Sequence, residues 1–143
     1  MQPKRALALD VGTKTIGLAL SDPLGLFAQP YYTVARRGVK KDCAELAVAC
    51  EEKGVTHLVV GLPLELDGSE KRPARLARQV GEALAELTGL PLVYVDERFS
   101  SVEAERHLLE ADLSRAKRKE VIDQAAAVII LQSWLDYGDQ VAE

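Results

Sequence analysis

Two apolar runs open the chain, Arg5–Val11 (RALALDV) and Thr15–Asp22 (TIGLALSD), separated by Gly12, Thr13 and Lys14. Short runs joined by a tight glycine-containing turn predict a β-hairpin. A third run, LFAQPYYTVAR from Leu26, predicts a strand that Pro30 confines to a sheet edge or a bulge, because proline donates no ladder hydrogen bond. From Lys40 to Lys53 the apolar residues recur at helical spacing, and Gly54 is a fitting stop. THLVVGLP (Thr56–Pro63) is continuously apolar, as a strand buried on both faces in a parallel sheet should be. The polar loop LELDGSEKRP leads into a helix from about Ala74 to Leu87, ended by Gly89 and Pro91. PLVYV is a further buried strand closed by DERFSS. SVEAERHLLEAD reads as a helix with a capping box at Ser100 or Ser101, LSRAKRKE as a basic connection, and VIDQAAAVIILQSWLDYG as a strongly apolar final helix.

The order βββαβαβαα predicts a mixed sheet, its first three strands antiparallel, flanked by helices. Parallel strands present ligands at their carboxyl ends. Asp10 ends the first apolar run, and Asp96 and Glu97 end the last. If these strands are parallel, the acids share one rim. Adjacent strand residues face opposite ways, so only one of Asp96 and Glu97 faces the site of Asp10; periodicity does not say which. On the final helix, Asp123, Ala126, Ala127, Ile130 and Trp134 form one stripe, apolar except for the aspartate. A charge on a buried face needs a partner, although an acid at a helix start, near Lys117, Arg118 and Lys119, also has ordinary reasons to be there. The small Ala126 and Ala127 allow close approach to the sheet. A hairpin turning near Thr13 sets Asp10 opposite about Ile16 and leaves Asp22 roughly 20 Å away at ~3.3 Å per residue, outside the site.

Composition adds constraints. The 143 residues suffice for one domain with a sizeable core, 48% of them are hydrophobic and 28% charged. No apolar run approaches the ~20 residues of a membrane span, and the start shows no secretory leader, so a cytoplasmic location is expected. Cys43 and Cys50 lie two helical turns apart, roughly 10 Å, too far for a disulfide and suited to free thiols. A net charge of −4 argues against a general nucleic-acid coat but leaves room for local basic patches, at Arg36, Arg37, Lys40 and Lys41, at Lys71, Arg72, Arg75 and Arg78, and at Arg115, Lys117, Arg118 and Lys119. Taken singly, each patch reads as a solvated face.

Three converging carboxylates repel one another and require cations. Oxygen-only ligation suits Mg²⁺ or Mn²⁺, and such ions act on phosphates.

The stretches LALDVGTKTIGLALSD, VVGLPLELDGSE, YVDERFSSVEAE and IDQAAAVIIL, in this order over about Arg5–Leu135, resemble the YqgF/RuvX family, related to RuvC-type Holliday junction resolvases. The resemblance implies an RNase H-like fold over residues 1–143, with a mixed five-stranded sheet. It implies a metal-dependent nuclease maturing the 5′ end of 16S rRNA in the cytoplasm. Carried over by motif, Asp10, Glu97 and Asp123 are the catalytic, metal-binding acids, which selects Glu97 over Asp96 by analogy. RFSS replaces a pattern in which Thr is frequent, and AKRKEVID is more basic than the family pattern; neither removes an acid.

Candidate substrate contacts follow. Thr13 and Lys14 either touch a phosphate or simply form the turn. Gly68 and Ser69 either lead a phosphate to the helix N-terminus behind them or form a turn with Ser69 as helix N-cap. Arg98 is a phosphate clamp or pairs with a nearby acid. Lys71 and Arg72 on one side, and Lys117 and Arg118 on the other, are expected to flank the rim. His57 and His107 receive no role. Expected partners are pre-rRNA, with branched or single-stranded DNA as further candidates, and no membrane; the chain is a monomer or homodimer. Competing readings are a junction-resolving DNA nuclease and a non-catalytic RNA-binding or transcription-associated module. A sugar-kinase or actin-like ATPase needs a second such domain.

Overall fold

The computed structural model describes residues 4–99, 102 and 115–138, without the side chains of residues 99, 115–121 and 123. Five strands form one sheet in the spatial order β3-β2-β1-β4-β5: β1 (Ala6–Val11), β2 (Thr15–Ser21), β3 (Ala28–Ala35), β4 (His57–Leu62) and β5 (Leu92–Asp96). The first three pair antiparallel, and β1–β4 and β4–β5 pair parallel. Among the described residues the α-helices longer than one turn are α1 (Val39–Lys53), α2 (Arg72–Thr88) and α3 (Arg115–Tyr137), and a 3₁₀ turn, Glu97–Phe99, follows β5.

Strand parity divides the core in two. Leu7, Leu9, Leu18, Leu58, Val60 and Tyr94 meet Leu46, Cys50, Val80 and Leu84 of α1 and α2. Residues of the opposite parity, Ala6, Ala8, Ala19, Val59 and Val95, meet Ala126, Ala127, Ile130 and Trp134 of α3. The second face is built of alanines on both sides, which brings α3 close to β1 and β2. Every residue of β1 is buried, so the rim it carries is rigid.

Several expectations are corrected. Val11 pairs with Ile16 and Asp10 with Gly17, one residue from the expected register, because the Gly12 amide donates to the Thr15 carbonyl (2.8 Å) and centres the turn between Thr13 and Lys14. Helix α2 starts at Arg72, two residues early, with Pro73 in the first turn, where a missing N–H costs no helical bond. Residues Arg115–Glu120 are the first turns of α3 and not a connection; Ala, Lys, Arg and Glu are good helix formers and nothing there breaks the run. The expected helix over residues 101–112, with its capping box, falls outside the described residues but for Val102.

Pro30 sits on the edge strand β3, where the register shifts against Gly17 and Ala19 of β2. Gly54 ends α1 in the left-handed conformation (φ 64°). Cys43 and Cys50 are buried free thiols; burial raises both pKa values, that of Cys50 to about 11, and keeps them protonated near neutrality. Among the described residues no helix is long and apolar enough to cross a membrane.

Candidate active site

The site is built at the carboxyl ends of the parallel strands. Leu9 pairs with Val60, so Asp10 comes level with Gly61; Gly61 in turn pairs with Val95 and Leu62 with Asp96. Asp10 shares the parity of Ala6 and Ala8 and so faces α3. Glu97, the first residue of the 3₁₀ turn Glu97–Phe99, reaches the same face, its Oε2 lying beside Gly61 and Ile130. Asp96 has the parity of Tyr94 and turns to the α1–α2 side. Register and pleat thus separate the two adjacent acids that the sequence alone left undivided.

Gly61 supplies the space between them. A Cβ there would stand 3.3 Å from Glu97 Oε2 and 3.1 Å from Ile130 Cγ1 of α3. A glycine inside a strand marks such a close approach. Asp10 and Glu97, 7% and 8% exposed, line one cleft of about 330 Å³ with Gly12, Thr13, Thr15, Pro63, Arg72 and Pro73. The N-terminus of α2 opens on this cleft. Its N-cap residue, Lys71, makes no side-chain capping bond, so the first-turn amides and the helix dipole favour an anion there.

Asp123 lies in α3, and its side chain is not among those described. Its neighbour Gln124 donates to Thr33 Oγ1 (3.0 Å). Thr33 pairs with Gly17, and Gly17 with Asp10. Residue 124 therefore stands at the level of Asp10 along the strands.

Arg98 is engaged with the other acid. Its Nη2 donates to Asp96 Oδ2 (2.7 Å), its Nε to both oxygens (3.1 Å each), and its backbone amide to Oδ1 (2.9 Å). Burial works to raise the Asp96 pKa, but these bonds outweigh it and hold the carboxyl below its ordinary value. Arg98 Nη1 also donates to the Leu66 carbonyl (3.3 Å), and a Cβ on Gly68 (φ 88°) would stand 3.4 Å from that nitrogen. Arg98 thus ties the 63–71 loop to β5. Within the loop, the Ser69 amide donates to Asp67 Oδ1 (2.8 Å). Ser69 is not the N-cap of α2, contrary to one reading of the sequence, because the helix begins three residues further on.

Of the other expected contacts, Thr13 borders the cleft, Lys14 is exposed at the hairpin tip, and Lys71, Arg72 and Arg75 are exposed on the first turn of α2 or just before it. Lys117 and Arg118 lie on the first turns of α3, their side chains outside those described. Arg78 leaves the basic patch: it pairs with Glu70 (2.6 Å) and covers the Tyr94 ring at 4.7 Å. Asp22 organises its own loop, accepting from the amides of Leu26 (2.7 Å) and Phe27 (3.1 Å), at the far end of β2 from Asp10. Sequence reasoning placed Arg36 only in a basic patch and missed its contact with the site, where its Nη1 donates to the Gly12 carbonyl (2.8 Å). Helical and strand periodicities carry no signal for it, since it lies between β3 and α1 in a run of basic residues. Gly61 was legible in principle, as a glycine in a strand pattern.

Two substitutions test this construction. Gly61→Ala should lower the unfolding free energy by ~1–3 kcal/mol, the usual cost of overpacking, and displace Glu97; an unchanged urea midpoint would refute the close approach. For Asp96 the folded pKa lies below the ordinary 3.8. Its charge therefore stabilises the fold at all pH above that value, and the contribution is lost as pH falls through the folded pKa. Asp96→Asn should be less stable than the parent at neutral pH, with a gap that narrows below about pH 3.8; a gap constant down to the acid limit would count against the Arg98 lock.

Comparison with known proteins fits this architecture. A sequence model described as "RuvX: Holliday junction resolvase" matches residues 4–137. Three bacterial relatives described as candidate pre-16S rRNA nucleases are similar over most of their length: one from Myxococcus xanthus (54% identity over 132 residues, 92% of this chain and 87% of the relative), one from Moorella thermoacetica (51%, 92% and 94%) and one from Syntrophomonas wolfei (48%, 94% and 95%). Among solved structures, Thermus thermophilus RuvC in complex with a Holliday junction substrate superposes with a TM-score of 0.57 at 15% identity, over 95% of this chain and 98% of that one. Free RuvC gives 0.58 at 12%, over 92% and 93%. At these identities the likeness is one of fold, the RNase H-like fold. With a family model covering nearly the whole chain and relatives about half identical across it, this protein belongs to the RuvX family.

Proposed function

We propose that the protein is a metal-dependent nuclease that hydrolyses phosphodiester bonds in the cytoplasm, with maturation of the 5′ end of pre-16S rRNA as its task. The observation that carries this reading is the meeting of Asp10 and Glu97, from the ends of β1 and β5, on one cleft that also receives the N-terminus of α2. The names of the half-identical relatives supply the substrate. The donor set fits a hard divalent cation: the cleft lining offers carboxylate, hydroxyl and backbone oxygens and, among the described residues, no Cys or His. Asp10, Glu97 and Asp123 are the residues that would hold Mg²⁺ or Mn²⁺. For Asp123 the support is the anchoring of its neighbour Gln124 at the level of Asp10. Such an ion, when bound, supplies Lewis-acid stabilisation of phosphoryl oxygens and a water of lowered pKa.

The chain's own groups bind and orient the substrate. The α2 amides, Thr13 and Arg72 hold phosphate oxygens at the cleft. Lys71 and Arg75 extend the basic surface on one side, and the first turns of α3 carry Arg115, Lys117, Arg118 and Lys119. Arg98 acts indirectly, by fixing the loop that carries Gly68 and Ser69. A second reading, cleavage of a four-way DNA junction, is favoured by the fold shared with RuvC.

Labelled 5′-extended 16S rRNA precursor, four-way junction DNA and single strands, each with Mg²⁺ or Mn²⁺ and with chelator, separate the readings. Cleavage should require the ion and favour the precursor. Asp10→Asn and Glu97→Gln should each lose more than the roughly 10–100-fold typical of changes one layer outside a metal's ligands, with far-UV circular dichroism unchanged. Activity in chelator, or full activity of Asp10→Asn, would defeat the mechanism.

Binding should also weaken steeply with salt, because cationic side chains that neutralise phosphates release counterions. Neutralising Lys71, Arg72 and Arg75 together should flatten the plot of log affinity against log salt by about one unit for each phosphate no longer neutralised. An unaltered slope and affinity would mean that this face is only solvated.

A further inference from the structure

We infer that Arg36, held by the buried Asp42, is a positioning residue for the turn that follows Asp10; the inference rests on Asp10 being a ligand of the nuclease site. The turn Gly12–Thr15 forms one wall of the cleft. It is a two-residue hairpin turn, closed by the Gly12 amide donating to the Thr15 carbonyl (2.8 Å). Such turns normally adopt left-handed conformations, which match the twist of the flanking strands and favour Asn-Gly or similar pairs. Thr13 and Lys14 supply neither: no non-glycine residue among those described has positive φ, and Gly12 has none either. The turn therefore lacks the backbone type that best matches the twist of its strands, and bonds from outside reinforce the one that closes it.

Arg36 makes those bonds from both its ends. Its backbone amide donates to the Lys14 carbonyl (2.9 Å), and its Nη1 to the Gly12 carbonyl (2.8 Å). The guanidinium is itself fixed, because Nε donates to Asp42 Oδ2 at 2.7 Å. Asp42 is fully buried in the first turn of α1, and its other oxygen accepts the Arg37 amide (2.9 Å). The Arg36 side chain is only 12% exposed, so the pair is screened little by salt. A rigid fork thus transmits the position of α1 to the carbonyl two residues after Asp10. An ammonium on a flexible stem lacks that planar fork.

The test compares Arg36→Lys, Arg36→Gln and the charge-neutral Arg36→Gln/Asp42→Asn with the parent and with Asp10→Asn, on cleaved pre-rRNA with Mg²⁺ or Mn²⁺. A misplacement of about 1 Å can lower the rate about 100-fold. Arg36→Gln and the double variant should lose roughly 10–100-fold in kcat, and Arg36→Lys about 10-fold, with KM within about threefold of the parent. A second measurement needs neither metal nor substrate: in the ion-free protein, the Gly12 amide should exchange with solvent faster in the variants, while amides of β4 do not. Where Arg36→Gln leaves buried Asp42 unpaired and unfolds, the double variant and Arg36→Lys still decide. If both are folded and keep kcat within twofold of the parent while Asp10→Asn is inactive, Arg36 is structural only and the inference falls. If Asp10→Asn is itself active, the reading of the site fails instead.

Discussion

The arrangement depends on one missing side chain. Asp10 and Glu97 come from strands with β4 between them, two inter-strand spacings apart, ~9–10 Å at the backbone. Their carboxylates share a cleft only if the middle strand is bare at that level. Gly61 makes it bare, and the same gap admits Ile130, so α3 settles against the sheet where the acids meet. The alanines of β1, β2 and α3 extend this close approach along the helix. Packing and chemistry are therefore one constraint here. A larger residue at position 61 would lift the helix and push the glutamate together.

The surrounding charges follow from that constraint. Two nearly buried carboxylates facing one cleft are destabilising without compensating positive potential. Part of it is built into the backbone, as the first turn of α2 points at the cleft with no side chain capping it and Arg72 on its edge. The net charge of −4 is an average over the surface, whereas the margin of the cleft at the start of α2, with Lys71, Arg72 and Arg75, is locally basic.

Much of this was legible in the sequence. The hairpin, the edge strand marked by Pro30, the two parallel strands and the αL stop at Gly54 all carry local signatures, and they emerged at the expected places. The acids at strand ends were visible as the polar close of apolar runs, but a turn-forming role explained Asp10 equally well until the other acids were placed on the same rim. The choice between Asp96 and Glu97 was not, because it turns on register across three strands. The start of α3 was misread because a basic run resembles a loop until its helix propensity is weighed. Arg36 was invisible for a different reason. Its partners, Gly12 and Asp42, lie on either side of it in separate elements, and only their meeting in space distinguishes it from Arg37, which pairs with Glu45 on the surface.

Asp96, which ends β5, and Glu97, the residue after it, show how a single step along the chain divides labour. Asp96 points to the α1–α2 side and binds Arg98, which in turn fastens the loop bearing Gly68. Glu97 points to the α3 side and enters the cleft. The pleat of β5 sets the side of Asp96, and Glu97, the first residue of the 3₁₀ turn Glu97–Phe99, takes the other side. Adjacency also couples them. The bonds that hold Asp96 ionised fix the end of β5, and the residue after that end is Glu97. In an adjacent acid pair at a strand terminus, one charge thus supplies rigidity so that its neighbour arrives in a defined place.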